Sequence, residues 1–273
     1  MRAASRLGSG WLCGAALLGT VAVFVVPIRF AAGQGFPTEQ ALVAASSSAF
    51  AQAGATGTGA STRALDDLVA FWEGFHLLKA VLAVLLVTVL LTLESRLRRA
   101  AAARRPTGRV AASGAGAAYG GVVVWLVGAL TVLAANLQGA LAPLASVASL
   151  LPTGRPPSEL GPVLGELRRQ VTAAPTGSGG DLAGTLLADF THYHVVFAAM
   201  ATAVGVAMTA LAVRAVATRW QLRRTHQRAQ PIWLWQTTLW GGASALYLLL
   251  AVANMSTARN PAPALLAALA GGG

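Results

Sequence analysis

The sequence predicts an all-α fold: a polytopic membrane helix bundle of five transmembrane helices, arranged as an N-terminal anchor helix followed by two parallel-related helical hairpins. Three observations predict it. Residues 11–28, 75–93, 117–138, 195–213 and 232–254 are each apolar over about the 20 residues that a bilayer core of about 30 Å demands. Residues 76–143 recur without a gap 118 residues later, pairing His76 with His194, Arg96 with Arg214, Arg105 with Arg223, Asn136 with Asn254 and Pro143 with Pro261. The arginines, finally, gather at one end of the predicted helices.

Composition supports the membrane assignment. The chain is 55% hydrophobic and 11% charged, against about 25% charged residues in an ordinary soluble domain, and its mean hydropathy is +0.62. Charge placement then orients it. Thirteen arginines (2, 6, 96, 98, 99, 104, 105, 109, 214, 219, 223, 224 and 228) and only Glu94 among the acids fall on one side, giving +12 there and −1 on the other, within a total of +11. The positive-inside rule places the N-terminus in the cytoplasm and the C-terminus outside a bacterial plasma membrane. These arginine clusters suit anionic phospholipid headgroups. They lack the stacking aromatics of a nucleic-acid face, so nucleic acid is excluded as a partner despite a pI near 11.6. One cysteine, Cys13, excludes an intrachain disulfide and any cysteine-based metal cluster.

Residues 1–32 form the anchor. Their basic start, apolar run and small Ala31 and Ala32 also outline a signal peptide, but the run is long and Phe30 is bulky beside the cut, which favours retention. Residues 33–74 read as a flexible outer loop and a short pre-membrane helix. The stretch 34–62 is dominated by Ala, Ser, Thr and Gly, with few bulky groups to offset ordering entropy. From Arg63 onward, Leu65, Leu68, Val69 and Trp72 share one helical face.

Residues 75–143 are the first transmembrane hairpin and 193–261 the second. His76 to Arg96 and His194 to Arg214 are both 20 residues, or about 30 Å of helix. Hairpins of one orientation are related by a pseudo-twofold axis along the membrane normal. Gly116 and Gly120, Gly10 and Gly14, and the Gly241–Gly242 pair offer close helix contacts. Residues 144–192 form an outer loop with short amphipathic helices, where Leu160, Val163, Leu164, Leu167 and Val171 recur at helical spacing. Residues 262–273 are an outer C-terminal tail. The apolar stretches 140–151 and 262–270 suit helices in the outer interface or tucked against the bundle.

His76 and His194 would lie at one depth on opposite sides of the axis, which is the geometry of bis-imidazole haem ligation. His192 would add a third nitrogen for a transition metal, with Glu73 and Asp189 near enough in sequence to orient the rings. The competing readings leave these histidines among headgroups or at helix ends, or make them a proton-linked site. Lys79, the only lysine, either extends outward to the headgroups or to Glu73, or forms an anion or proton site beneath the outer surface. Asn136 and Asn254 either bond across the repeat interface or end their helices. Trp11, Trp72, Trp220, Trp233 and Trp235 read as an interfacial belt, and Trp125 and Trp240 as packed between helices. No phosphate loop, His-Glu-x-x-His, Cys-x-x-Cys or Gly-x-Ser-x-Gly is present, so no catalytic residue is assigned and the protein reads as non-enzymatic.

The run Ala253-Asn254-Met255-Ser256-Thr257 with Pro261 and Pro263, the Tyr193-His194 entry to the fourth span and the preference for Arg over Lys resemble uncharacterised multi-pass integral membrane proteins of high-GC actinobacteria. The resemblance implies no activity and assigns no residue a role. The leading expectation is an envelope protein whose outer face is a scaffold or binding surface for another envelope protein or a second copy. The alternatives are a haem- or metal-binding electron-transfer protein and a small transporter, the last disfavoured by the scarcity of polar groups at mid-membrane.

Overall fold

The computed structural model describes residues 2–55, 61–103, 109–152, 156–173, 181–224 and 231–270. Among them it is all helix and turn: α1 (Arg2–Gly33), α2 (Glu39–Ala55), α3 (Arg63–Ala103), α4 (Arg109–Leu141), α5 (Pro143–Ala148), α6 (Leu160–Ala173), α7 (Leu182–Arg224), α8 (Pro231–Arg259) and α9 (Pro261–Leu269). Five of these, α1, α3, α4, α7 and α8, are long and apolar enough to cross a membrane, which marks a multi-pass membrane protein. The apolar stretches underestimated two of them. Helices α3 and α7 run for 41 and 43 residues because amphipathic lead-ins continue them without a breaker. At about 1.5 Å per residue each is about twice as long as a hydrocarbon core of about 30 Å is thick.

The chain divides into two compact units, whose boundaries fall inside the five long helices. The second unit comprises Val25–Lys79, Ala135–Ala198 and Val252–Gly273. Its core draws on short helices and long-helix ends together: Phe50 from α2, Leu68 and Trp72 from α3, Leu164 from α6, Leu186 from α7 and Leu265 from α9. Helix α6 buries Leu160, Leu164, Leu167 and Val171 as its spacing predicts, and packs against α2 and α9. Helices α5 and α9 are tucked into this core, with Val147 and Leu265 buried, and both begin with proline, whose missing N–H costs nothing at the first helical position.

Helix α2 corrects the expectation of a flexible loop over 34–62 for its residues 39–55; residues 56–60 of that stretch lie outside the described ones. Alanine is the strongest helix former, and Thr38 caps the start by accepting from the Ala41 N–H at 3.2 Å. Phe50 and Leu42, buried in the core, contribute about 2 kcal/mol each toward the ordering cost of a segment otherwise poor in bulky groups. The small residues serve close packing. A methyl group added at Gly54 would overlap the Val163 side chain of α6.

The first unit comprises Met1–Phe24, Ala80–Ala134 and Ala199–Ala251. Its buried residues include Ala83, Leu90, Val123, Leu126, Ala201 and Met208, while Val84, Leu85, Val213 and Leu249 face outward, an apolar exterior suited to lipid. Helices α4 and α8 meet closely. A Cβ on Gly116 would come within 2.8 Å of the Trp235 indole, and one on Gly120 within 3.6 Å of Leu239. Gly10, Gly14, Gly241 and Gly242 have nothing within 4 Å, so the close contacts expected there do not form. Trp240 is buried and Trp125 donates to the Thr20 hydroxyl at 3.0 Å, so both pack between helices as expected.

Candidate functional site

In the second unit α3 carries His76 opposite Asn136 of α4, and α7 carries His194 opposite Asn254 of α8. His76 Nδ1 lies 2.9 Å from Asn136 Oδ1, and His194 Nδ1 lies 2.8 Å from Asn254 Oδ1. Each pair is separated by 60 residues, and the second pair sits 118 residues beyond the first. An amide oxygen only accepts, so in both rings Nδ1 holds the proton and donates it, leaving Nε2 with the lone pair.

The ring environments follow the same shift. Trp72 meets His76 edge to face at 4.7 Å, and Phe190 meets His194 at 4.7 Å. Phe75 lies at 5.6 Å from the first ring and Tyr193 at 5.5 Å from the second. The residue four positions earlier lies on the histidine's own helical face and the residue one earlier flanks it about 100° around the axis, and both bring an aromatic ring against the imidazole. Gly139, one turn after Asn136, lets the His76 ring lie on the α4 backbone: an added Cβ would stand 2.8 Å from three ring atoms. His76 Nε2 is buried with no hydrogen-bond partner.

Several sequence expectations end differently. Asn136 and Asn254 each bond to the histidine of their own hairpin. Asp189 Oδ2 accepts from the Ala145 N–H at 2.7 Å, and among the described residues no hydrogen bond joins Asp189 to an imidazole. Glu73 is exposed, and Lys79, half-buried, lays its ammonium 5.3 Å from the centre of the Phe75 ring instead of reaching Glu73. His192 is exposed, about 200° around α7 from His194, as two helical steps require. Among the described residues no three His, Cys, Asp or Glu side chains group around a metal position, so His76, His192 and His194 do not make a three-nitrogen site. Trp72 is a core residue and not part of a belt, since its indole N–H donates to Ser146 Oγ at 2.8 Å. Trp11, Trp220 and Trp235 are exposed. The side chains of Arg105, Arg223 and Trp233 lie outside the described residues.

Sequence reasoning missed a polar chain in the first unit. Tyr119 Oη donates to Glu94 Oε1 at 2.9 Å, Trp240 Nε1 donates to Tyr119 Oη at 3.1 Å, and Arg98 Nε stands 3.5 Å from the same carboxylate. Glu94 is 9% exposed. Its signal was available: it is the one acid on an arginine-rich side. Ion pairing and hydrogen bonding together make a buried carboxylate tolerable.

No family model, no curated protein and no solved structure matches this chain.

Proposed function

We propose that the chain is a duplicated two-helix hairpin of the bacterial plasma membrane, N-terminus inside, whose second unit is a non-enzymatic, outward-facing platform for another envelope protein or a second copy. One observation carries this reading. Helices α2, α5, α6 and α9 are not among the candidate spans, yet they build a shared core with the ends of α3 and α7. A chain that needed only anchorage would have no use for such a unit, whereas a rigid surface held at the membrane requires one. The twin histidine–asparagine bonds support the duplication, because one shift relates both partners of both bonds.

Cysteine labelling tests the orientation. In a Cys13→Ala background, Thr172→Cys on α6 reacts with an impermeant maleimide in intact cells, and Arg99→Cys reacts only after permeabilisation; the reverse pattern overturns the topology. For the platform, a photocrosslinker at Gln52 gives an adduct of one discrete mass, while one at Leu249 gives lipid. No adduct at Gln52 sinks the reading.

A second reading rests on His76 alone. Ligating histidines are held through the nitrogen that does not bind the metal, and the Asn136 bond leaves a buried Nε2 of that kind. An absorption spectrum of the purified protein decides it: a Soret band lost in His76→Ala supports haem, and a colourless, metal-free protein removes it.

A further inference from the structure

The face of α2 turned away from the core is uncovered. Ser46, Ala49, Phe50 and Ala53 are buried in the core, whereas Gln40, Ala44, Ser48 and Ala51 recur at three- and four-residue steps along a cleft of about 830 Å³. Its opposite wall is Pro152, Pro156, Pro157 and Glu159. A second cleft, of about 480 Å³, shares Ser48, Ala51 and Glu159 with the first and continues past Gly54 to Ala55, beside Val163 and Glu166 of α6. Together they make one groove along α2 from Gln40 to Ala55, about 22 Å at the helical rise of about 1.5 Å per residue.

Three features define what fits. Ala44, Ser47, Ser48, Ala51, Gly54 and Ala55 make most of the floor small, with Gln40, Val43 and Gln52 between them, so a ligand's main chain can approach the helix closely at the small positions. Every charged side chain lining either cleft among the described residues is a carboxylate: Glu39 and Glu159 in the larger, Glu159 and Glu166 in the smaller. Glu166 is already paired with Arg169 and accepts from Gln170 along α6, which leaves Glu39 and Glu159 to meet a ligand's charge. Ser47, 7% exposed, lines the larger cleft and makes no side-chain hydrogen bond among the described residues, so its hydroxyl is available to a ligand amide.

We propose that this groove binds an extended, lysine- or arginine-bearing peptide segment of a partner protein, about seven residues long at about 3.3 Å per residue. The inference rests on the platform reading above and names the partner's chemistry. A neutral ligand would strip water from the carboxylates without replacing it, whereas alternate cationic side chains of an extended segment satisfy them and the intervening residues point away.

The test uses the full chain in nanodiscs of neutral lipid and the fluorescein-labelled peptide acetyl-Lys-Ala-Lys-Ser-Lys-Ala-Lys, followed by anisotropy against empty discs. Wild type binds. The pair Glu39→Gln and Glu159→Gln weakens binding about tenfold, because two rim ion pairs are lost, and salt weakens it further. Ala51→Trp, which fills the groove at the shared position, abolishes it, with unchanged circular dichroism and gel-filtration volume showing that the variant folds. The proposal is overturned if the peptide binds no better than to empty discs, if its glutamate counterpart binds equally, or if both variants behave as wild type. A Gln52 adduct in cells without peptide binding would refute the cationic segment and leave the platform; loss of the adduct would refute the platform itself.

Discussion

Flanking the first hairpin, Trp72 of α3 donates to Ser146 of α5, whereas 118 residues later stand Phe190 and Ala264, with neither a proton to give nor a side-chain oxygen to take one. The same exchange affects the bond from the Ala145 N–H to Asp189: the shifted positions are Pro263, which has no N–H, and Phe71, which has no acceptor. Glu94 and Tyr119 correspond to Ala212 and Thr237. In these three cases both members of a polar pair have changed together. A buried donor or acceptor left alone costs about 1–3 kcal/mol, while removing both partners is nearly neutral, so paired change is the inexpensive route to divergence. The histidine–asparagine bond is kept in both copies.

Converting one hairpin into the other tests this. The largest effect belongs to Gly139→Thr, which copies Thr257 into the first hairpin and drives a side chain into the His76 ring. Thermal unfolding in nanodiscs should show a loss of about 3 kcal/mol from overpacking, and Thr257→Gly much less. An unaffected Gly139→Thr protein would mean that the ring does not lie on α4.

Trp72→Phe comes next. It strands the buried Ser146 hydroxyl and should cost about 2 kcal/mol, whereas the double change with Ser146→Ala should recover part of that loss. A double variant no better than the single one would break the argument for paired divergence.

Smaller and equal effects are expected for Asn136→Leu and Asn254→Leu. Hydrogen bonds between membrane helices average about 0.6 kcal/mol, and the two variants should agree within about that amount. A large effect in one copy alone would indicate that the two bonds serve different purposes. Smallest of all, Gly241→Ala should leave stability within about 0.5 kcal/mol of wild type, because nothing stands within 4 Å to be displaced.

Much of this fold was legible because membranes read composition. Five spans, the amphipathic α6, the proline-started α5 and α9, and the matched positions of His76 and His194 all follow from periodicity and spacing. Helix α2 was not legible, since its alanines and serines make sense only against the Val163 side chain packed close to them. Nor were the bonds of Asn136, Asp189 and Trp72. A polar residue on a helix finds its partner by the helix's rotation about its own axis, at about 100° per residue, and that angle depends on the packing of every neighbour.

By itself the sequence determined that the chain is helical, how many times it is apolar over a bilayer's thickness, and where its two imidazoles recur, because transfer from water to lipid is decided residue by residue. The tertiary structure decided which groups satisfy one another: imidazole with asparagine, indole with serine, carboxylate with tyrosine. It also decided that an alanine- and serine-rich stretch becomes a helix. Those outcomes depend on distances between segments far apart in the chain, which only packing sets.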